Sequence, residues 1–315
     1  MKQQVVTCVG AGNIGRAWAI AFARGDRQVR LHDSSADALE RSRGLIDSSL
    51  RDLAEAELIG DPGTIAARIS FEKDLEQALA GSHHVQENVL ENLAAKQEIF
   101  AQLDAMTPAS TVLATSSSEF MSSQIITGVK NVERVLVAHP FNPPYLIPLV
   151  EISGHEQTST EAIASTQALM IEIGMTPVII RKEIKAFLLN RLQGAVIAEE
   201  LFLVEYGYCS AEDLDRAMTN GLALRWSFIG PFMTGHLNAS GGYRDYMRDD
   251  SFGGTFRRVT GDLASSNGWD YRLVEAISED LEHTIPTAEI AQGQQWRDRR
   301  LMALLKHKAG QPDYK

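Results

Sequence analysis

QVVTCVGAGNIGRAWAIAFARGDRQVRLHD, residues Gln4–Asp33, decides the fold. Gln4 to Val9 is a short strand-like apolar run, and Gly10-x-Gly12-x-x-Gly15 follows it directly. An amphipathic helical pattern then runs through Trp18, Ile20, Ala21 and Phe22 until Gly25 stops it. A second strand, Gln28 to His32, ends at Asp33. Each glycine has its own task. Gly10 makes the tight turn, Gly12 lets backbone approach a pyrophosphate, and Gly15 lets helix and strand pack closely. With Asn13 and Ile14 they form a phosphate-binding turn whose anion sits on the helix N-terminus. Asp33, about twenty residues beyond the glycine turn, can accept from the adenosine ribose hydroxyls and would repel a 2′-phosphate. Ser34 and Ser35 follow it, not an arginine, so the expected cofactor is NAD.

Working outward, a long helical region spans Asp37 to about Leu58, and short strands are expected at Arg68–Phe71, His84–Gln86, Thr111–Ala114 and Arg134–Ala138. Helices at Leu75–Leu79 and Leu93–Met106 lie between them. Strands alternating with helices mean an α/β fold with a mainly parallel, Rossmann-type sheet. A last strand, Thr176–Ile180, closes it. From Lys185 onward strand signals disappear, and helical patterns occupy about Ala186–Tyr206, Ala211–Leu222, Tyr243–Ala264, Trp269–Thr284 and Ala288–Lys306. The expected domains are therefore 1–184, binding NAD, and 185–315, all-helical, for substrate and dimerisation.

Composition narrows the function. The 315 residues suit two domains, and 44% hydrophobic with 23% charged residues is globular usage. No apolar run reaches the roughly 18–20 residues of a membrane span, and MKQQVVTCVG carries no signal-peptide pattern, so a cytoplasmic protein is expected. Cys8 and Cys209 make neither a metal spacing nor a disulfide framework, and no metal is expected. A net charge of −11 argues against nucleic acid. It also repels small anions, so an anionic substrate needs a local fixed cation. GLALRWSFIGP offers Arg225 flanked by Trp226 and Phe228.

Ligands of such sheets lie beyond the carboxyl ends of the strands. Glu87–Asn92, Thr115–Ser118 and His139–Asn142 follow three expected strands, so acid, hydroxyl and imidazole converge on one edge. Taken singly, each has a plain structural reading. His139 could be a satisfied histidine in the proline-stiffened HPFNPP loop, Glu91 a helix-start acid, and Ser117 part of a polar turn. Glu87 rivals Glu91 as the catalytic acid. Asn190 lies within an apolar-periodic helix, where it is costly unless hydrogen-bonded to substrate or backbone.

In order, GAGNIG, QENVLENLAAK, TSSS, HPFNPP and FLLNR resemble the 3-hydroxyacyl-CoA dehydrogenase superfamily over nearly the whole chain. HPFNPPYLIPLVEI, FLLNRLQ and GLALRWSFIGPFMTGHLNASGG are similar to its lambda-crystallin branch, which includes L-gulonate 3-dehydrogenase. The resemblance implies that His139 is the catalytic histidine and that Glu91 pairs with it. It further implies that Ser117 stands beside the reacting oxygen, that Asn142 and Asn190 are active-site asparagines, and that Lys96 and Glu91 lie on the cofactor side. It also implies a homodimer through the helical domain. The chain departs from the family at Thr115, where asparagine is usual, and at Ala186, where glycine is usual.

The reaction expected on this basis is NAD-linked oxidation of a small 3-hydroxy acid such as L-gulonate. The alternatives are a 3-hydroxyacyl-CoA thioester, a carnitine-type hydroxy acid, or a non-enzymatic crystallin-like or NAD-sensing role.

Overall fold

The computed structural model describes residues 4–227, 229–239, 243, 246–247 and 286–311. The helices expected at Tyr243–Ala264 and Trp269–Thr284 fall almost wholly outside the described residues, as does Phe228. The chain divides into two compact units, Met1–Leu188 with Ala291–Lys315, and Leu189–Ile290.

The first unit is built on an eight-stranded sheet of order β3-β2-β1-β4-β5-β6-β7-β8. The strands are β1 Val5–Val9, β2 Gln28–His32, β3 Ile69–Glu72, β4 Ser82–Glu87, β5 Val112–Thr115, β6 Val135–Pro140, β7 Leu149–Gly154 and β8 Thr176–Ile180. All neighbouring pairs are parallel except β6–β7, which is antiparallel. The reason is chain length. Residues 141–148 join β6 to β7, too few for the dozen or more a parallel crossover needs.

Helices cover both faces. They are α1 Asn13–Arg24, α2 Ala36–Glu55, α3 Pro62–Ala66, α4 Leu75–Leu79, α5 Leu93–Met106, α6 Ser122–Ile125 and α7 Thr160–Glu172. On one face Trp18, Ile20 and Phe22 of α1, Ile46 and Leu50 of α2 and Met170 of α7 form one core with Leu136, Ala138, Val150 and Ile152. On the other, Phe100 and Leu103 of α5, Leu79 of α4 and Ile125 of α6 pack against Val85, Leu113 and Val135. Strand periodicity does the sorting: Leu136 and Ala138 of β6 face the first core, so Val137 and His139 face away from it.

The second unit begins within α8, Phe187–Glu205, and continues through α9 Ala211–Ala217, a π-helical turn Met218–Leu222, α10 Ala223–Trp226 and α11 Pro231–Leu237. The packing face expected for α8 is partly covered, with Val196 and Leu203 half-buried. Leu188 and Leu192 are exposed, and Phe187 alone among the residues of α8 is buried. The last described helix, α12 Ile290–Ala309, groups with the first unit, whereas the sequence division at 185 assigns it to the helical part. Its Met302 is in the first core, flanked by Leu301 and Leu305. No described helix is long and apolar enough to cross a membrane.

Candidate active site

The glycine turn has the shape a dinucleotide requires. Gly10 has φ +97°, and a Cβ there would lie 2.7 Å from the Asn88 carbonyl oxygen. A Cβ at Gly15 would lie 1.8 Å from the Gly10 oxygen, so helix and turn touch through missing side chains. Gly12, by contrast, opens onto space free of atoms within 4 Å, and no side chain caps α1. The first-turn amides, at Asn13, Ile14 and Gly15, are thus available to an anion. Asp33 is fixed at the end of β2, where Oδ2 accepts from Ala11 N at 3.0 Å and Oδ1 from Ser35 N at 2.9 Å. A carboxylate has lone pairs to spare beyond these two, so ribose hydroxyls can still be accommodated. The turn therefore fits NAD.

His139 stands at the carboxyl end of β6, buried, with Nδ1 2.8 Å from Glu151 Oε2. His139 and Glu151 are register partners across β6 and β7, which brings both side chains to the same face. The other oxygen, Glu151 Oε1, accepts from the Leu188 backbone N–H at 2.8 Å, in the first turn of α8. The Phe187 ring, fully buried, lies 5.2 Å from the imidazole and shields one side of it. Nε2 of His139 has no hydrogen-bond partner among the described residues, so it is the nitrogen left for chemistry. Behind β6, Gln86 donates from Nε2 to the Ala138 carbonyl at 3.1 Å, fixing the backbone just before the histidine.

Glu91 is not the partner of His139. Its Oε1 collects the Ser117 hydroxyl and the backbone N–H groups of Ser118 and Glu119, at 3.0 and 3.1 Å, while Oε2 lies 3.2 Å from Lys96 Nζ. Burial acts to raise the Glu91 pKa, but these donors and Lys96 outweigh it and hold the carboxyl below its ordinary range. Glu91 therefore clasps the loop after β5, and the pairing that the resemblance implied belongs to Glu151. Periodicity does not announce β7 as a strand behind Pro148, and Glu151 is hidden with it. The signal was available: a carboxylate inside the apolar run Leu149–Ile152 is expensive to bury without a partner.

Lys96, almost fully buried in α5, also binds both oxygens of Glu87, at 3.0 and 3.1 Å. Glu87 further accepts from Thr115 Oγ1 at 2.6 Å and Val89 N at 2.6 Å. Burial dominates there and raises its pKa, against the lowering effect of Lys96. Thr115, where the resemblance leads to an expectation of asparagine, is thus tied to the buried Glu87–Lys96 pair.

Ser117 is fully buried. Its hydroxyl donates to Glu91 and accepts from Phe120 N at 2.8 Å and Glu119 N at 3.3 Å, so its whole hydrogen-bonding capacity is in use. Asn142 is exposed in the loop after His139. Asn190 in α8 and Arg225 in α10 belong to the second unit, where Arg225 is exposed. No group of three or more potential metal-ligating side chains occurs among the described residues.

Comparison with known proteins matches residues 5–184 to the NAD-binding domain of 3-hydroxyacyl-CoA dehydrogenase, and residues 187–267 to the C-terminal domain of the same family. The chain belongs to the 3-hydroxyacyl-CoA dehydrogenase family. It is an NAD-dependent oxidoreductase of that family, with its glycine turn, Asp33 and sheet edge in the first of the two matched domains. Among relatives, lambda-crystallin of Oryctolagus cuniculus is 39% identical over 310 residues, with 96% of each chain covered. L-carnitine dehydrogenase of Nocardiopsis dassonvillei is 35% identical, covering 96% of this chain and 90% of that one. Among solved structures, an NAD-dependent dismutase, 5-formyl-3-hydroxy-2-methylpyridine 4-carboxylic acid 5-dehydrogenase, superposes with a TM-score of 0.82 over 98% of this chain and 100% of that one. At 24% identity it bears on the fold alone.

Proposed function

We propose that this family member oxidises a secondary alcohol beta to a free carboxylate, with an L-gulonate-like sugar acid as substrate. The observation that carries the chemistry is the buried His139–Glu151 pair at the carboxyl edge of the sheet, with Nε2 left open. When bound, NAD supplies the hydride acceptor. His139 Nε2 takes the hydroxyl proton as hydride leaves the same carbon, and Glu151 orients the ring and stabilises the imidazolium. Asn190 holds the reacting oxygen. Ser117 can join it only by exchanging one of its present partners. Lys96 and Glu91 set the loop after β5 against the cofactor side.

Arg225 is assigned as the carboxylate anchor, the local cation that a chain of net charge −11 requires. The free-acid reading is supported by the 39% identity to lambda-crystallin, and the carnitine-type alternative by the 35% identity to L-carnitine dehydrogenase. A 3-hydroxyacyl-CoA substrate is the further alternative from the family itself. The helical unit is assigned to dimerisation, supported by its exposed apolar residues Leu192, Leu224 and Phe232.

The deciding experiment offers L-gulonate, L-carnitine and 3-hydroxybutyryl-CoA with NAD and follows NADH absorbance. L-Gulonate is expected to give the highest kcat/KM. Arg225→Met should then raise KM for the free acid by a factor equivalent to about 2 kcal/mol, leaving NAD affinity unchanged. Preference for the thioester, or an unchanged KM in the folded variant, would overturn the anchor.

A further inference from the structure

Both oxygens of Glu151 are held by other parts of the chain. One meets His139, and the other meets the backbone N–H of Leu188 at 2.8 Å. That amide is presented by an unusual entry into α8. Ala186 and Phe187 both have positive φ, +63° and +54°, in the left-handed region that non-glycine residues rarely occupy. Two consecutive residues of this kind cost backbone energy and persist only where the surroundings fix them. Phe187 supplies that fixing: its ring is fully buried with Val137 and Ile180 and lies against the imidazole. The tight entry thus delivers one aromatic ring to His139 and one amide to Glu151.

We propose that the Leu188 N–H is a positioning group for the His139–Glu151 pair, so that the start of α8 is part of the proton-transfer device and not merely the link to the next unit. The chemistry is direct. A buried carboxylate with one oxygen bonded to imidazole can swing about its terminal torsion, which is broad for glutamate. A second donor on the other oxygen fixes the plane of the carboxylate and hence the direction of the Nδ1 hydrogen bond. The same donor draws negative charge toward Oε1, and the first-turn position adds the favourable end of the helix dipole. The Leu188 N–H thus contributes to both the geometry and the charge distribution at Oε2. The Leu188 side chain itself is exposed and has no part in this.

The inference rests on His139 being the base, and the test separates the two. Leu188→Pro deletes the N–H at a first-turn helix position, where proline is otherwise tolerated. Because Phe187 precedes it with positive φ, a second variant guards against misfolding: a backbone ester at the 187–188 linkage, made with the α-hydroxy analogue of leucine, removes the N–H and keeps the side chain. Leu188→Ala retains the N–H and serves as the control.

The expected result is a roughly 10-fold or greater loss of kcat in the ester variant, with the NAD dissociation constant unchanged by fluorescence titration and Leu188→Ala near wild type. The acid limb of the kcat profile should also move to higher pH, because the undrawn charge on Oε2 holds the imidazolium more strongly. Unchanged kcat and pH profile in the ester variant would overturn the positioning role. His139→Asn is run in parallel. If it keeps near-normal turnover, the base assignment itself falls; if it loses turnover while the ester variant does not, only the positioning inference falls.

Discussion

At the scale of single residues, the proposed role of Asp33 is to select the cofactor. Both its oxygens are held by backbone donors, from Ala11 and Ser35, so the charge cannot swing away when a ligand arrives. A ribose with two free hydroxyls can donate to it. A 2′-phosphate would bring its own negative charge against one that is already fixed, in a chain whose overall field is also negative. The preference for NAD over NADP should therefore be at least about tenfold in kcat/KM, on the order of 1.4 kcal/mol. Asp33→Ser should narrow it, with loss of affinity for NAD and gain for NADP. Equal efficiency with both cofactors in the unaltered protein would contradict this role for Asp33.

At the scale of elements, what was legible in the sequence followed from periodicity and punctuation. β1, the glycine turn, α1 and β2 were readable because strand, glycines and amphipathic stripe occur in one unbroken order. β7 was not, because Pro143, Pro144 and Pro148 crowd the chain just before it and Glu151 breaks its apolar run. With the strand goes the acid it carries, and the resemblance pairs the histidine with Glu91, which instead clasps Ser117 and Lys96. The backbone pairing that makes Glu151 a neighbour of His139 lies in the antiparallel register, which no local pattern announces. A second buried ion pair joins elements on the far face. Arg134, just before β6, reaches Asp104 of α5 at 2.7 Å and also donates to the Thr107 hydroxyl and to carbonyls of that helix end. Burial works to raise the Asp104 pKa, yet the bonds from Arg134, Asn131 and Lys130 N prevail and bring it down to about 2. A depressed carboxylate pKa adds stability that is fully present above the unfolded value, near 3.9, and is lost as pH falls toward 2. Asp104→Asn should therefore lower the melting temperature most at neutral pH, with the gap to wild type shrinking between about pH 4 and pH 2. A gap that stayed constant across that range would mean the carboxylate charge is not what holds α5 to β6.

At the scale of the whole molecule, the chain leaves the first unit within α8 and returns to it with α12. Composition and periodicity gave a helical second half, but they cannot say which core a late helix joins, since an amphipathic stripe fits any apolar surface. The structure answers through Met302, which is buried in the core that also holds Leu50 and Leu53 of α2, with Leu301 and Leu305 packed at its margin. Lys306 adds an ion pair to Glu57, just past α2, but both groups are exposed and such pairs contribute little. The apolar contact is therefore what carries the docking. Truncating a buried methionine to alanine removes its transfer free energy and leaves a cavity, at about 2–5 kcal/mol. NAD stabilises the unit that binds it, by linkage, so that unit can be recognised in a melt as the transition that NAD moves upward. Met302→Ala should lower that NAD-responsive transition by several degrees, although residue 302 is far along the chain from the glycine turn. Lys306→Ala should leave it nearly unchanged. If Met302→Ala shifted only a transition that NAD does not move, α12 would belong energetically with the helical unit, and the division of the chain near residue 185 would stand in place of the observed one.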